Sequence, residues 1–171
     1  TGASPVPVPM REANGFAFSA EETLALITPK TRLLILNSPA NPTGQSLAPE
    51  DLERLLLGLQ DKCLVVIDEA YGEYSRNASA IALLERFPNL AVLKTLSKAH
   101  ALAGARIGCV IADAGLITVL KACQAPYPIS KPSAELAVQA FAPGNLSRSH
   151  EAIRECLSER ARLADALRIL P

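Results

Sequence analysis

Three short apolar runs, each stopped by a polar side chain, constrain this chain most. They are Leu33-Leu34-Ile35-Leu36 ending at Asn37, Leu64-Val65-Val66-Ile67 ending at Asp68, and Ala91-Val92-Leu93 leading through Lys94 to Thr95. Runs without polar alternation read as strands apolar on both faces, the habit of parallel sheets. A helical segment lies between the first two. Pro49-Glu50-Asp51 opens it, and Leu52, Leu55, Leu56 and Leu59 form its apolar face. The alternation predicts an α/β chain: a three-layer αβα sandwich with covered sheet faces and mostly parallel strands. One connection breaks the pattern. About ten alanine-rich residues join Thr95 to Arg106, too few for a parallel crossover of about a dozen or more. Residues 106–112 are therefore expected to run antiparallel to their neighbours.

Elsewhere the signals are local. Val6 to Val8, between prolines, reads as an edge strand. Ser19-Ala20-Glu21-Glu22 is a capping box for a helix to about residue 27. Asp113 caps a helix to about Cys123, Pro126-Tyr127-Pro128 is a turn, and Pro132 starts a helix to about Phe141. Pro143-Gly144-Asn145 breaks that helix. A long amphipathic helix follows, with Ile153, Cys156, Leu157, Leu163 and Leu167 on one stripe.

Composition excludes several functions. Seventeen basic residues balance seventeen acidic ones, which leaves no basic stripe for nucleic acid. No apolar run approaches the ~18 residues of a membrane span. The N-terminus is neither a signal nor a transit peptide and lacks a starting methionine, as a processed or truncated end would. Cys63, Cys109, Cys123 and Cys156 show no zinc-ligand spacing; no metal is expected, and the thiols read as buried and reduced in a cytoplasmic protein.

Four phrases carry chemistry. Asp68 stands at the carboxyl end of a strand, where ligands bind in open α/β sheets. A carboxylate there can pair with a protonated pyridine nitrogen. It can also be a helix cap. Leu-Val-Val-Ile-Asp-Glu also fits a Walker B strand, but no G-x-x-x-x-G-K-[ST] partner occurs in the chain. Tyr71 can hydrogen-bond a ring oxygen or simply pack. Asn41 can donate to the same oxygen, or Asn41-Pro42-Thr43-Gly44 can be a turn alone; the Asn41-Pro42 bond is trans by default, and cis would be functionally placed. Lys98, in Thr95-Leu96-Ser97-Lys98, can form an imine with an aldehyde, whose phosphate Thr95, Ser97 and Arg106 can hold; otherwise it is a surface lysine. His100 reads as a neighbour of the site without a role, and His150 as helix surface.

Together these phrases, with Arg106 in Ala-Gly-Ala-Arg-Ile-Gly, resemble the class I/II aminotransferases of pyridoxal 5′-phosphate (PLP) fold type I. Leu93-Lys94-Thr95-Leu96-Ser97-Lys98-Ala99 and Ala125-Pro126-Tyr127-Pro128-Ile129-Ser130 tip the resemblance toward the histidinol-phosphate branch. The resemblance implies that Lys98 bonds the cofactor aldehyde and then shuttles a proton. It assigns Asp68 to the ring nitrogen, Asn41 and Tyr71 to the ring oxygen, and Thr95, Ser97 and Arg106 to the phosphate. It implies ping-pong transamination between a small-molecule amino donor and a 2-oxo acid, in a homodimer with no nucleic-acid or membrane partner. A PLP-dependent threonine-phosphate decarboxylase is a same-fold alternative. Family members are longer, so residues 1–145 are expected to be the central part of the PLP-binding large domain. Residues 146–171 would be a long helix leading toward a C-terminal small domain. Without the remaining parts, this span is expected to bind PLP weakly or not at all. Where relatives carry an aromatic hydrocarbon ring, this chain has His100.

Overall fold

The computed structural model describes residues 2–169. It contains four strands and five α-helices among the described residues. The strands are β1 (Leu33–Asn37), β2 (Leu64–Asp68), β3 (Leu90–Thr95) and β4 (Gly108–Ala112), in sheet order β1-β2-β3-β4. β1 pairs parallel with β2, and β2 with β3, in a register that sets Asn37 beside Asp68 and Asp68 beside Leu93. β4 closes a mixed sheet and runs antiparallel. Its entry, not its exit, lies beside the end of β3: the Leu96 amide donates to the Ile107 carbonyl at 3.1 Å. The short connection therefore had the predicted effect.

The chain divides into two compact units. The first holds the chain up to Lys94 together with Val110–Ala122. Its core is the leucine face of helix α2 (Pro49–Leu59) laid on one face of the sheet. Leu52, Leu55, Leu56 and Leu59 are buried, as are Leu34, Val65, Ile67, Leu90 and Val92 from the strands. These strand positions follow the two-residue period of one sheet face. Opposite them on β1, Leu33 and Ile35 are 48% and 56% exposed, so here the double apolar run is covered on one side only. Helix α1 (Ala20–Ala25) begins at Ser19, whose hydroxyl accepts from the Glu22 amide at 3.1 Å, as the capping box predicts. It packs on α2 where Gly58 leaves room for Leu24. Helix α3 (Ala114–Cys123) follows Asp113, whose carboxylate accepts from the Gly115 amide at 2.7 Å.

The second unit holds Thr95–Cys109 and the chain from Cys123 onward. Helix α4 (Lys131–Ala140) is capped by Ser130. Helix α5 (Pro143–Leu167) starts at Pro143, so Pro-Gly-Asn forms its first turn and the break falls just before it. Proline suits the first helical position because the amide it lacks would have no intrahelical partner there. The last expected helical positions, 170 and 171, lie outside the described residues. Of the expected stripe on α5, Ile153 is buried, Leu157 is half-buried, and Cys156, Leu163 and Leu167 are exposed.

Two further expectations fail. Residues 6–8 form no strand: the alternating prolines remove the amides a ladder needs. Cys109 lies on β4 but is exposed, and so are Cys123 and Cys156; only Cys63 is buried.

Candidate active site

Asn41, Asp68 and Tyr71 belong to the first unit. β2 places Asp68 at its carboxyl end, half-buried, with Oδ1 accepting from the Ala70 amide at 2.9 Å. That bond tightens the chain directly after the strand and turns it toward Tyr71. The Asn41 segment forms the turn its composition predicts. The Gly44 amide donates to Ala40 at 2.8 Å, with Gly44 at φ +71°, a left-handed conformation that glycine adopts without a steric penalty. Both Ser38-Pro39 and Asn41-Pro42 are cis, against the trans default. The turn delivers Asn41 to Tyr71, thirty residues away in sequence: Nδ2 donates to the phenol oxygen at 3.0 Å. Asn41 thus forms the turn and also reaches Tyr71, and packing alone does not describe Tyr71.

Thr95, Ser97, Lys98 and Arg106 belong to the second unit. Thr95 ends β3, and its hydroxyl donates to Ser97 Oγ at 2.9 Å and accepts from the Ser97 amide at 3.1 Å. Two hydroxyls and an amide thus cluster at one spot. Lys98 follows in a compact turn closed by Ala101 N to Lys98 O at 3.0 Å and Leu102 N to Leu96 O at 2.9 Å. Ala99 is buried beneath it, while Lys98 itself is exposed. Arg106 opens the return into β4 in a left-handed conformation, φ 55°, and donates to the Ala103 carbonyl at 3.0 Å. A branched-off side chain pays about 1–3 kcal/mol for such a backbone, which the surrounding turn must over-determine. His100 packs its imidazole on Phe141, ring centroids 5.2 Å apart, as an aromatic ring would.

Each unit by itself offers groups of the kind PLP takes. In the first unit an amide meets a phenol three residues past a strand-ending carboxylate; in the second, two hydroxyls and an amide cluster beside a lysine, and an arginine closes the same loop. A cavity of about 150 Å³ lies elsewhere in the first unit, between Leu47, Ile67, Glu69 and Ser79, and none of the seven candidate residues lines it.

Sequence reasoning missed a charged cluster. Glu69 is 5% exposed, and its carboxylate accepts from the Ala80 amide and from Ser79 Oγ, both at 2.7 Å. Lys94 Nζ lies 3.2 Å from Glu69 Oε2 and 2.9 Å from Glu73 Oε1. The available signal was the strand period: Val65, Ile67 and Glu69 share the core-facing row, as do Val92 and Lys94.

The chain belongs to the family described as aminotransferase class I and II, whose profile matches residues 1–170. It is 47% identical over 173 residues to a histidinol-phosphate aminotransferase of Stenotrophomonas maltophilia, covering 99% of this chain and 47% of that relative. A histidinol-phosphate aminotransferase of Xanthomonas oryzae pv. oryzae is 52% identical over 147 residues, covering 86% of this chain and 40% of the relative. Among solved structures, a decarboxylase from Sulfurospirillum multivorans superposes with a TM-score of 0.81 at 26% identity, over 93% of this chain and 47% of that one. The chain thus spans less than half the length of the curated relatives it matches.

Proposed function

We propose that this chain is the central part of the cofactor-binding large domain (residues 1–145, with 146–171 leading onward) of a PLP-dependent histidinol-phosphate aminotransferase. The protein would convert histidinol phosphate and 2-oxoglutarate to imidazole acetol phosphate and glutamate, a step of histidine biosynthesis. The Asn41–Tyr71 hydrogen bond carries the reading, because it joins two distant motifs into one donor pair for a ring oxygen.

When bound, PLP supplies an electron sink for the pair left on the substrate carbon. The carboxylate of Asp68 would hold the proton on the ring nitrogen and so keep the ring cationic. Asn41 Nδ2 and the Tyr71 phenol orient the ring by its oxygen. Thr95, Ser97 and Arg106 would hold the phosphate, two hydroxyls and a guanidinium being suited to its charge. Lys98, the catalytic residue, would hold the group by its aldehyde carbon and, once the substrate amine has displaced it there, would as a free amine carry the proton from substrate Cα to the carbon beside the ring. The whole protein acts on small molecules as a homodimer in the cytoplasm; four free thiols suit a reducing compartment.

The test uses the whole protein containing this chain. It is loaded with PLP, reduced with borohydride, digested and mapped by mass. The phosphopyridoxyl mass is expected on Lys98 and absent in Lys98→Ala; a mass on another lysine, or on none, ends the proposal. The decarboxylase neighbour favours a second outcome, release of carbon dioxide from an amino acid phosphate with no glutamate formed. Product analysis separates the two.

A further inference from the structure

We propose that Lys94 is a positioning residue: by clamping Glu69 and Glu73 it orders the stretch that carries Asp68 and Tyr71. The inference deepens the PLP reading and rests on it for what the stretch presents. Asp68 and Glu69 are successive residues at a strand end, so their side chains leave opposite faces of the sheet. Glu69 turns into the core beside Lys94, its cross-strand neighbour one step past the Asp68–Leu93 register. The backbone passes from Glu69 through Ala70, Tyr71 and Gly72 to Glu73, and one ammonium holds the carboxylates at both ends, at 3.2 and 2.9 Å. Tyr71 is the midpoint of that span.

Three further observations show a built arrangement. The Glu69 carboxylate is also held by Ser79 and the Ala80 amide at 2.7 Å each, so the anchor on which Lys94 pulls is itself fixed. The turn is closed by Gly72 N to Glu69 O at 2.8 Å and Tyr74 N to Tyr71 O at 3.0 Å. At Gly72 a Cβ would stand 2.8 Å from Lys94 Nζ, so the chain passes as close to the ammonium as glycine permits. The charged groups packed here are Glu69 from the β2 end, Glu73 from the turn and Lys94 from β3. Burial depresses the basicity of Lys94, but Glu73 and then Glu69 more than offset it, so the amine is held more basic than usual. A lysine clamped as a cation between two carboxylates is a tie, not a proton donor.

The experiment uses the whole protein, as wild type, Lys94→Met, Lys94→Arg and Glu73→Gln. The first readout is amide hydrogen exchange without PLP. Lys94→Met is expected to speed exchange at residues 70–74 about tenfold or more and leave α2 unchanged. Lys94→Arg should restore protection, and Glu73→Gln, on the half-buried side of the clamp, should reproduce part of the loss. The second readout is PLP affinity by titration, expected to weaken about tenfold in Lys94→Met and recover in Lys94→Arg. Unchanged exchange at 70–74, or equal loss of protection across α2, overturns the proposal. If Lys94→Met does not fold, Glu73→Gln decides by the same criterion. If wild type binds no PLP, the function reading falls, while exchange at 70–74 still decides the clamp.

Discussion

Replacing Gly72 with alanine tests the packing around Lys94 directly. The new Cβ would stand 2.8 Å from Lys94 Nζ, 3.1 Å from Glu69 Cβ and 3.2 Å from Glu69 Oε2. Non-bonded heavy atoms around carbon settle at about 3.5–4.0 Å, so the ammonium must retreat by about 0.7–1.2 Å. It sits 2.9 Å from Glu73 and 3.2 Å from Glu69, and such a retreat takes at least one of them beyond hydrogen-bond reach. The Glu69 side chain is only 6% exposed, so water replaces the lost partner poorly. The expected cost is about 1–3 kcal/mol, the range for a buried polar group left unsatisfied. Gly104→Ala is the control: a Cβ there meets nothing within 4 Å, and the expected change is within about 0.5 kcal/mol. In urea denaturation, with a slope of about 1–3 kcal/mol per molar, Gly72→Ala should lower the midpoint by about 1 M. In a Lys94→Ala background the nearest clash is gone, and the cost of Gly72→Ala should shrink by at least about 0.5 kcal/mol. Equal midpoints for the two glycine variants, or strict additivity with Lys94→Ala, would refute the reasoning.

Other expectations follow from the same structure. Leu55→Ala, at a position with no exposure, should cost about 2–5 kcal/mol, whereas Leu57→Ala on the same helix, 58% exposed, should cost under about 0.5 kcal/mol; paired thermal melts compare them. Burial pushes the Cys63 thiol up, against a smaller downward pull from Lys62, so a thiol reagent at mildly alkaline pH should label Cys109, Cys123 and Cys156 and reach Cys63 only on unfolding. Lys94 is held above its ordinary value of 10.5, so the stability it contributes is full below that value and is lost as pH rises through the folded-state value. The stability gap between wild type and Lys94→Met should therefore stay level from about pH 7 to about pH 9 and narrow above 10.5, measured by denaturant titration at each pH.

The sheet was legible because its strands announce themselves by local composition. Leu33-Leu34-Ile35-Leu36 and Leu64-Val65-Val66-Ile67 have few other uses in a chain with intervening amphipathic leucines. The direction of β4 was legible from loop length, a constraint of chain reach and not of residue preference. The Val6–Val8 stretch misleads because its alternation is strand-like while its prolines lack the amides a ladder needs. Pro143 marks a stop in the sequence, yet it is also the first residue of the next helix. The turn at Asn41 and the strand end at Asp68 were legible because each is written in one short phrase. The Glu69–Lys94–Glu73 cluster was not, because its meaning comes from cross-strand register and burial. Asp-Glu in sequence does not say which carboxylate turns outward and which turns into the core.

The doubling back of β4 has a consequence for how such a chain can change. Thr95, Ser97, Lys98 and Arg106 all ride on one hairpin return, tied at its neck by the Leu96–Ile107 and Leu96–Leu102 bonds. Point substitutions can retune any of the four alone. An insertion or deletion between Lys98 and Arg106 would change the return on which both ride and so move the arginine relative to the lysine, an effect no single substitution has.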